Sequence, residues 1–237
     1  MTVVESAQRF GAAQRARHWR RWVASAVVVA VVALAVWVVW FSSLLSVREV
    51  RVVGAVNVSA DEVRRAAAVP AGVPLARADV AGVSSRVGQI PRVASVEVRR
   101  GWPDVLVIVV TERTPVAVAH DGAGLVYVDA TGARFGSVAI APPGMPVVTA
   151  TTDAALTSGA QVVAALPTAL RSTVTAVTAR SRDDVILRLP DGATVQWGSA
   201  EQSERKASVL AALLHVHAAS YDVSAPDLPT SRGTLHG

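Results

Sequence analysis

The stretch PRVASVEVRRGWPDVLVIVVTERTPVA, residues 91–117, decides the fold. Val96 and Val98 alternate with Ser95, Glu97 and Arg99, which is the period of a half-buried strand. Gly101, Trp102, Pro103 and Asp104 then make a tight corner. Residues 105–110 are all apolar and read as a second strand. The stretch is a β-hairpin, and none of its residues is suited to catalysis.

Upstream, VREVRVVG gives a short strand over residues 47–53, ended by Gly54. SADEVRRAAAV opens on Ser59 with Glu62 three residues later, the signature of a capping box. Val63, Ala66 and Ala67 follow at helical spacing. Asp79 precedes a second helical stripe at Val80, Val83, Val87 and Ile90, and Pro91 ends it, because a residue before proline avoids the α region. The predicted order is β-α-α-β-β over residues 47–113, with two helices covering one face of a three-stranded sheet.

Downstream, residues 115–225 are mostly short strands. VAVAH and LVYVD flank Asp121-Gly122-Ala123-Gly124, a hairpin signal. A helix is predicted over residues 153–166, then strands over 174–179, 185–189 and 194–197. Ser199 with Gln202 is the predicted cap of a last helix, whose apolar face is Leu210, Leu213 and Leu214. Tyr221, Val223 and Ala225 alternate as a final strand, and the proline-rich residues 226–237 read as a disordered tail.

The fold class is α+β: one N-terminal transmembrane helix, the β-α-α-β-β unit, and a mixed domain built on an antiparallel sheet with two helices. The membrane segment is residues 23–41, which carry no charge and one small polar side chain, Ser25. Nineteen helical residues cover about 28 Å, close to the hydrocarbon thickness of a bilayer. Trp19 and Trp22 at one end and Trp37 and Trp40 at the other form an aromatic belt. The tail, residues 1–22, holds five arginines and one acid, so it carries +4 of the chain's +5 charge. The positive-inside rule places that tail in the cytoplasm and the rest outside. The apolar run is longer than a signal peptide's, so the anchor is expected to stay uncleaved.

The same charge distribution argues against nucleic acid. The basic cluster is juxtamembrane, and the outer portion is nearly neutral with no basic stripe. There is no cysteine, which excludes disulfides and thiolate chemistry. His215 and His217 stand two apart on a helix, not at the four-residue spacing of a zinc pair. Asp183 and Asp184 are neighbours in a turn and point apart. No nucleophile elbow or phosphate loop occurs. The outer portion therefore reads as non-enzymatic, with no cofactor and no metal. What remains is binding by a strand edge. The final strand is short and flanked by proline, as sheet edges are, and an edge can accept a strand from another chain. Trp102, in a turn, is either folded back on the sheet or exposed as an aromatic anchor.

Several stretches together resemble the FtsQ/DivIB family of bacterial cell-division proteins: VREVRVVGAVNVSADEV (47–63), RVASVEVRRGWPDVLVIVVTERTPVA (92–117), LVYVDATGARF (125–135) and LPDGATVQWGS (189–199). The unit after the anchor is similar to a POTRA domain. The Ala, Val and Arg bias with a single Lys suggests a GC-rich genome such as an actinobacterium's. The resemblance implies a non-enzymatic divisome scaffold in the cell membrane at the septum. It would bind FtsB and FtsL, with FtsW and the septal transpeptidase as further partners, and influence septal peptidoglycan synthesis. Family members take FtsB by strand addition at the C-terminal edge, which maps onto Tyr221, Asp222, Val223, Ser224, Ala225, Pro226, Asp227 and Leu228. Ser224 and Ala225 depart from the basic and aromatic residues of the Gram-negative pattern. The recruitment surface of the POTRA unit maps onto Val93, Ser95, Glu97, Arg99 and Trp102. Two other readings compete. A POTRA-bearing translocation component that binds polypeptides would need POTRA repeats or a barrel, which are not seen. A cell-wall hydrolase would need clustered His, Asp, Glu or Cys.

Overall fold

The computed structural model describes every residue except 1–3, 43–44, 123 and 234–237. The chain divides into two compact units, Met1–Thr111 and Glu112–Gly237.

The first unit opens with α1, Val4–Phe41, in which the arginine-rich tail and the apolar run form one continuous helix of 38 residues. Within it, Arg21–Phe41 is long and apolar enough to cross a membrane, and none of that window is buried against protein. Next come β1 (Glu49–Val53), α2 (Ala60–Ala67), a 3-10 turn (Leu75–Arg77), α3 (Val80–Gly88), β2 (Val93–Gly101) and β3 (Val105–Glu112). This is the expected β-α-α-β-β order. The sheet runs β1-β3-β2, with β1 parallel to β3 and Glu49 opposite Val105. Both helices are capped as their sequences require: Ser59 Oγ accepts from Glu62 N–H at 3.1 Å, and Asp79 Oδ1 from Gly82 N–H at 2.9 Å. The predicted stripes face the sheet. Val63, Ala67, Val83 and Val87 are buried against Leu106, Ile108 and Val110.

The second unit contains β4 (Pro115–Asp121), β5 (Gly124–Asp129), β6 (Arg134–Val138), β7 (Val147–Ala150), α4 (Asp153–Ala165) and α5 (Thr168–Arg171). It continues with β8 (Ala176–Ala179), β9 (Val185–Arg188), β10 (Thr194–Gly198), α6 (Ser203–Leu213), β11 (Ser220–Asp222) and β12 (Thr230–Arg232). All nine strands form one sheet in the order β12-β11-β10-β9-β8-β7-β4-β5-β6. The antiparallel ladder is interrupted by three parallel pairings, β4–β7, β7–β8 and β10–β11, and α5 is a short helix beyond the two foreseen. α4 packs closely on this sheet. A Cβ at Gly159 would meet Val148 Cγ1 at 3.1 Å.

Two expectations fail here. Ser199 and Gln202 do not cap α6: the helix starts at Ser203, and Gln202 takes a left-handed conformation with φ of 53°. Side chains on both sides of the turn decide that start. Buried Trp197 donates its indole N–H to Ser203 Oγ at 3.1 Å, Ser203 Oγ donates to Ala200 O at 2.8 Å, and Lys206 Nζ donates to Ser199 O at 2.9 Å. The chain's single lysine is thus almost wholly buried, and burial lowers its pKa against the opposing pull of Glu201. The second failure concerns the segment after residue 226. It returns to the sheet as β12 and is not a structureless tail through residue 233; residues 234–237 lie outside the described residues.

Candidate partner-binding edge

The C-terminal margin of the large sheet is built from β10, β11 and β12. β11 runs parallel to β10, with Ser220 opposite Thr194 and Tyr221 opposite Val195, and Val223 N–H donates to Gln196 O at 3.0 Å. On its other side β11 pairs antiparallel with β12, Tyr221 opposite Ser231. The segment around Tyr221 is therefore not the edge, because both sides of its backbone are occupied. The sequence hid this. Thr230, Ser231 and Arg232 are all exposed, so β12 has no apolar alternation to betray it. Its only local signs are Pro229 before it and Gly233, with φ of 71°, after it.

The eight residues predicted to bind a partner separate by burial. Tyr221 and Val223 belong to the core. Tyr221 OH donates to Val216 O at 2.7 Å and accepts from Ala218 N–H at 3.1 Å, which locks the entrance to β11. Asp222, Ser224, Ala225, Asp227 and Leu228 are exposed and Pro226 is half-buried. Asp222 Oδ1 accepts from Ser224 N–H at 3.0 Å and from Ser224 Oγ at 2.6 Å, and Asp227 pairs with Arg205, so these side chains shape the β11–β12 turn.

Among the described residues, the outer margin of the sheet lies one strand further out, at β12. Ala219 N–H donates to Gly233 O at 3.3 Å. Thr194 N–H donates to Ala219 O and Val223 N–H to Gln196 O, so Tyr221 turns its backbone groups to β10 and Ser220 and Asp222 turn theirs to β12; Arg232 and Thr230 are thus the inward partners, and Ser231 between them turns its backbone groups outward. Cross-strand rows Thr194–Ser220–Arg232 and Gln196–Asp222–Thr230 line a polar groove of about 320 Å³ on the face away from the core.

Of the residues predicted in the POTRA unit, Val93 is 2% exposed and cannot meet a partner. As the first residue of β2 it closes the core beneath α3. Ser95, Glu97 and Arg99 are exposed on β2, which is an outer strand of its sheet. Arg99 holds Glu97 through two bonds of 2.6 Å, and this hydrogen bonding keeps the Glu97 carboxyl below its ordinary range. Trp102 is exposed, not folded back. Trp19, Trp22, Trp37 and Trp40 all project from α1.

Among the described residues, no group of His, Cys, Asp or Glu could hold a metal ion, and every buried side-chain polar atom has a hydrogen-bond partner. A second cleft of about 420 Å³ contains Arg182, Asp183 and Glu201.

Residues 45–113 match the family model for the POTRA domain, FtsQ-type, and residues 117–228 match that for the cell division protein FtsQ/DivIB C-terminal region. A cell division protein FtsQ from Streptomyces bingchenggensis is 37% identical over 192 residues, covering 75% of this chain and 72% of the relative. The chain belongs to the FtsQ/DivIB family. Other FtsQ relatives are similar. That of Streptomyces griseus is 38% identical over 190 residues, 74% of this chain and 91% of its own length. That of Mycobacterium bovis is 39% identical over 187 residues, 76% of this chain and 58% of its own length. The extracytoplasmic domain of DivIB from Geobacillus stearothermophilus aligns over 41% of this chain and 87% of that one, with 22% identity and a TM-score of 0.35. The FtsQ/DivIB C-terminal match stops at residue 228, just short of β12.

Proposed function

We propose that this chain is a non-catalytic assembly protein of the division machinery, held in the cell membrane by α1 with its N-terminus in the cytoplasm and gathered at the septum. It binds FtsB, and FtsL with it, and through them FtsW and the septal transpeptidase, and so helps to control septal peptidoglycan synthesis. Membership of the FtsQ/DivIB family and the single apolar helix among the described residues support this reading. The observation that carries the mode of binding is the outer side of β12. There, Ser231 holds a backbone donor and acceptor that a further strand would complete. Each added bond contributes roughly 0.5–1.5 kcal/mol net, so a short strand gives a modest affinity that side chains in the adjoining groove must sharpen.

The test exploits the alternation. Ser231→Pro removes an outward N–H and leaves the inward ladder intact, since proline is tolerated on an edge. It is expected to abolish co-purification of FtsB with the full chain while the chain stays in the membrane. Asp121→Pro, at the end of β4 away from this margin, should leave capture unchanged. FtsB retained at the parental level by Ser231→Pro refutes addition at β12.

A further inference from the structure

Ser46 and Val47, which lead into the POTRA unit, are closely bonded to it. The apolar window Arg21–Phe41 covers about 31 Å as a helix, so Phe41 stands at the hydrocarbon boundary opposite the arginine-rich end. The guanidinium carbon of Arg77 lies 5.9 Å from the centre of the Phe41 ring, which brings the 3-10 turn to that boundary. The turn is gripped from several sides. Ser46 bridges to Pro74, and Val47 N–H donates to Val73 O at 2.9 Å. Leu75 is fully buried, and Arg100 donates from Nε to Leu75 O and from Nη2 to Ala78 O, both at 2.9 Å.

A second turn belongs to the same rim. Arg48 and Glu49 donate their N–H groups to Asp104 O at 2.9 and 3.4 Å, so the β2–β3 corner is tied to the residues that follow Val47. The parallel register, Glu49 opposite Val105, starts both strands at this end. Trp102, in that corner, is 54% exposed. Arg48 and Arg77 are exposed too. Among the described residues, neither has a carboxylate within ion-pair distance.

From this geometry we infer that Arg48, Arg77 and Trp102 form a lipid-headgroup contact, in which the guanidinia take the phosphates of anionic phospholipids and Trp102 lies at the interface beside them. The Phe41 ring takes up none of the N–H donors of Arg77, so the guanidinium fork, which matches phosphate, stays available. An amphipathic indole prefers this level of a bilayer. The consequence is a POTRA unit with a fixed stance on the membrane, not one trailing from a free linker. The occupant is lipid because the rim adjoins the end of the apolar helix.

The chain has no cysteine, so a single introduced thiol is a unique reporter. The full chain carrying Ala76→Cys, labelled with a fluorophore, is placed in phosphatidylcholine vesicles with phosphatidylglycerol, and quenching by a nitroxide on the lipid headgroup is read. Flotation with the vesicles reports insertion of α1 separately. Quenching at position 76 is expected to be several-fold stronger than at Val56→Cys, an exposed site of the same unit beyond the far end of β1. It should fall toward that reference when Arg77→Gln and Trp102→Ala are combined, and when phosphatidylglycerol is omitted. Equal quenching at positions 76 and 56 in a chain that floats overturns the inference, and that comparison uses no rim substitution. Quenching indifferent to the double substitution and to phosphatidylglycerol overturns it as well, as does a double variant that keeps its quenching but loses co-purified division proteins.

Discussion

Asp129 shows what one residue does for this family's sequence pattern. Its carboxylate accepts from Arg113 Nη1 at 2.5 Å, from Thr131 N–H at 2.8 Å, from Thr131 Oγ at 2.6 Å and from Ala133 N–H at 3.0 Å. Two motifs, ERTPVA and YVDATGA, thus meet in one ion pair and one turn. Gly132, with φ of 82°, completes that turn, and a Cβ there would strike Thr157 of α4 at 2.4 Å. Burial alone would raise the Asp129 pKa, but the bonds from Thr131, Arg113 and Ala133 outweigh it and hold the carboxyl below its ordinary value. The folded state thus prefers the ionised form. The resulting stability is present above the unfolded carboxylate's pKa and is lost as pH falls through the lower folded value. Asp129→Asn is expected to cost about 2 kcal/mol at neutral pH, since bonds to a charged acceptor are the stronger ones. Urea midpoints of the extramembrane portion, taken at neutral and acid pH, check this: the gap between parent and variant should narrow on acidification. The sequence contains both motifs in plain view, yet nothing in their spacing says that Arg113 reaches Asp129.

Among the elements, those with a strong period were legible and those without one were not. Val63 and Ala67, or Val83 and Val87, announce α2 and α3 because one face is buried. The hairpin announces itself because Leu106, Ile108 and Val110 face the helices while Val96 and Val98 complete the same layer. α6 was found but its start was misplaced, because Trp197, Ser203 and Lys206 override local capping chemistry from positions a motif cannot weigh. β12 was missed because a fully exposed edge of three residues leaves no hydrophobic trace. With it went the outer margin of the sheet, which lies one strand beyond Tyr221. The end of β1 supplies a prediction at this scale. Gly54 has φ of 85°, and a Cβ there would lie 2.2 Å from Val110 O of β3. Gly54→Ala is expected to cost at least about 1–2 kcal/mol for the left-handed backbone alone, with the collision added. A clear drop in the thermal midpoint of a 45–113 fragment would show it, and an unchanged midpoint would contradict the argument.

At the scale of the molecule, one apolar helix and the arginines ahead of it set the topology expected for the chain. A β-lactamase fused after Gly237 is expected to protect cells from an extracellular β-lactam. Replacing Arg9, Arg15, Arg17, Arg20 and Arg21 with glutamine should diminish that protection by mixing orientations. Protection unaffected by the replacement would mean that something other than juxtamembrane charge sets the orientation.

The nine-stranded sheet adds a constraint of its own. Its other margin, β6, is kinked where Gly136 takes φ of 55° and the pairing with β5 slips by one residue, a distortion that discourages docking. Recruitment by backbone would then be confined to one berth. A second copy of the chain arriving there would shut out any other strand, so overproduction could silence assembly without any loss of folded protein.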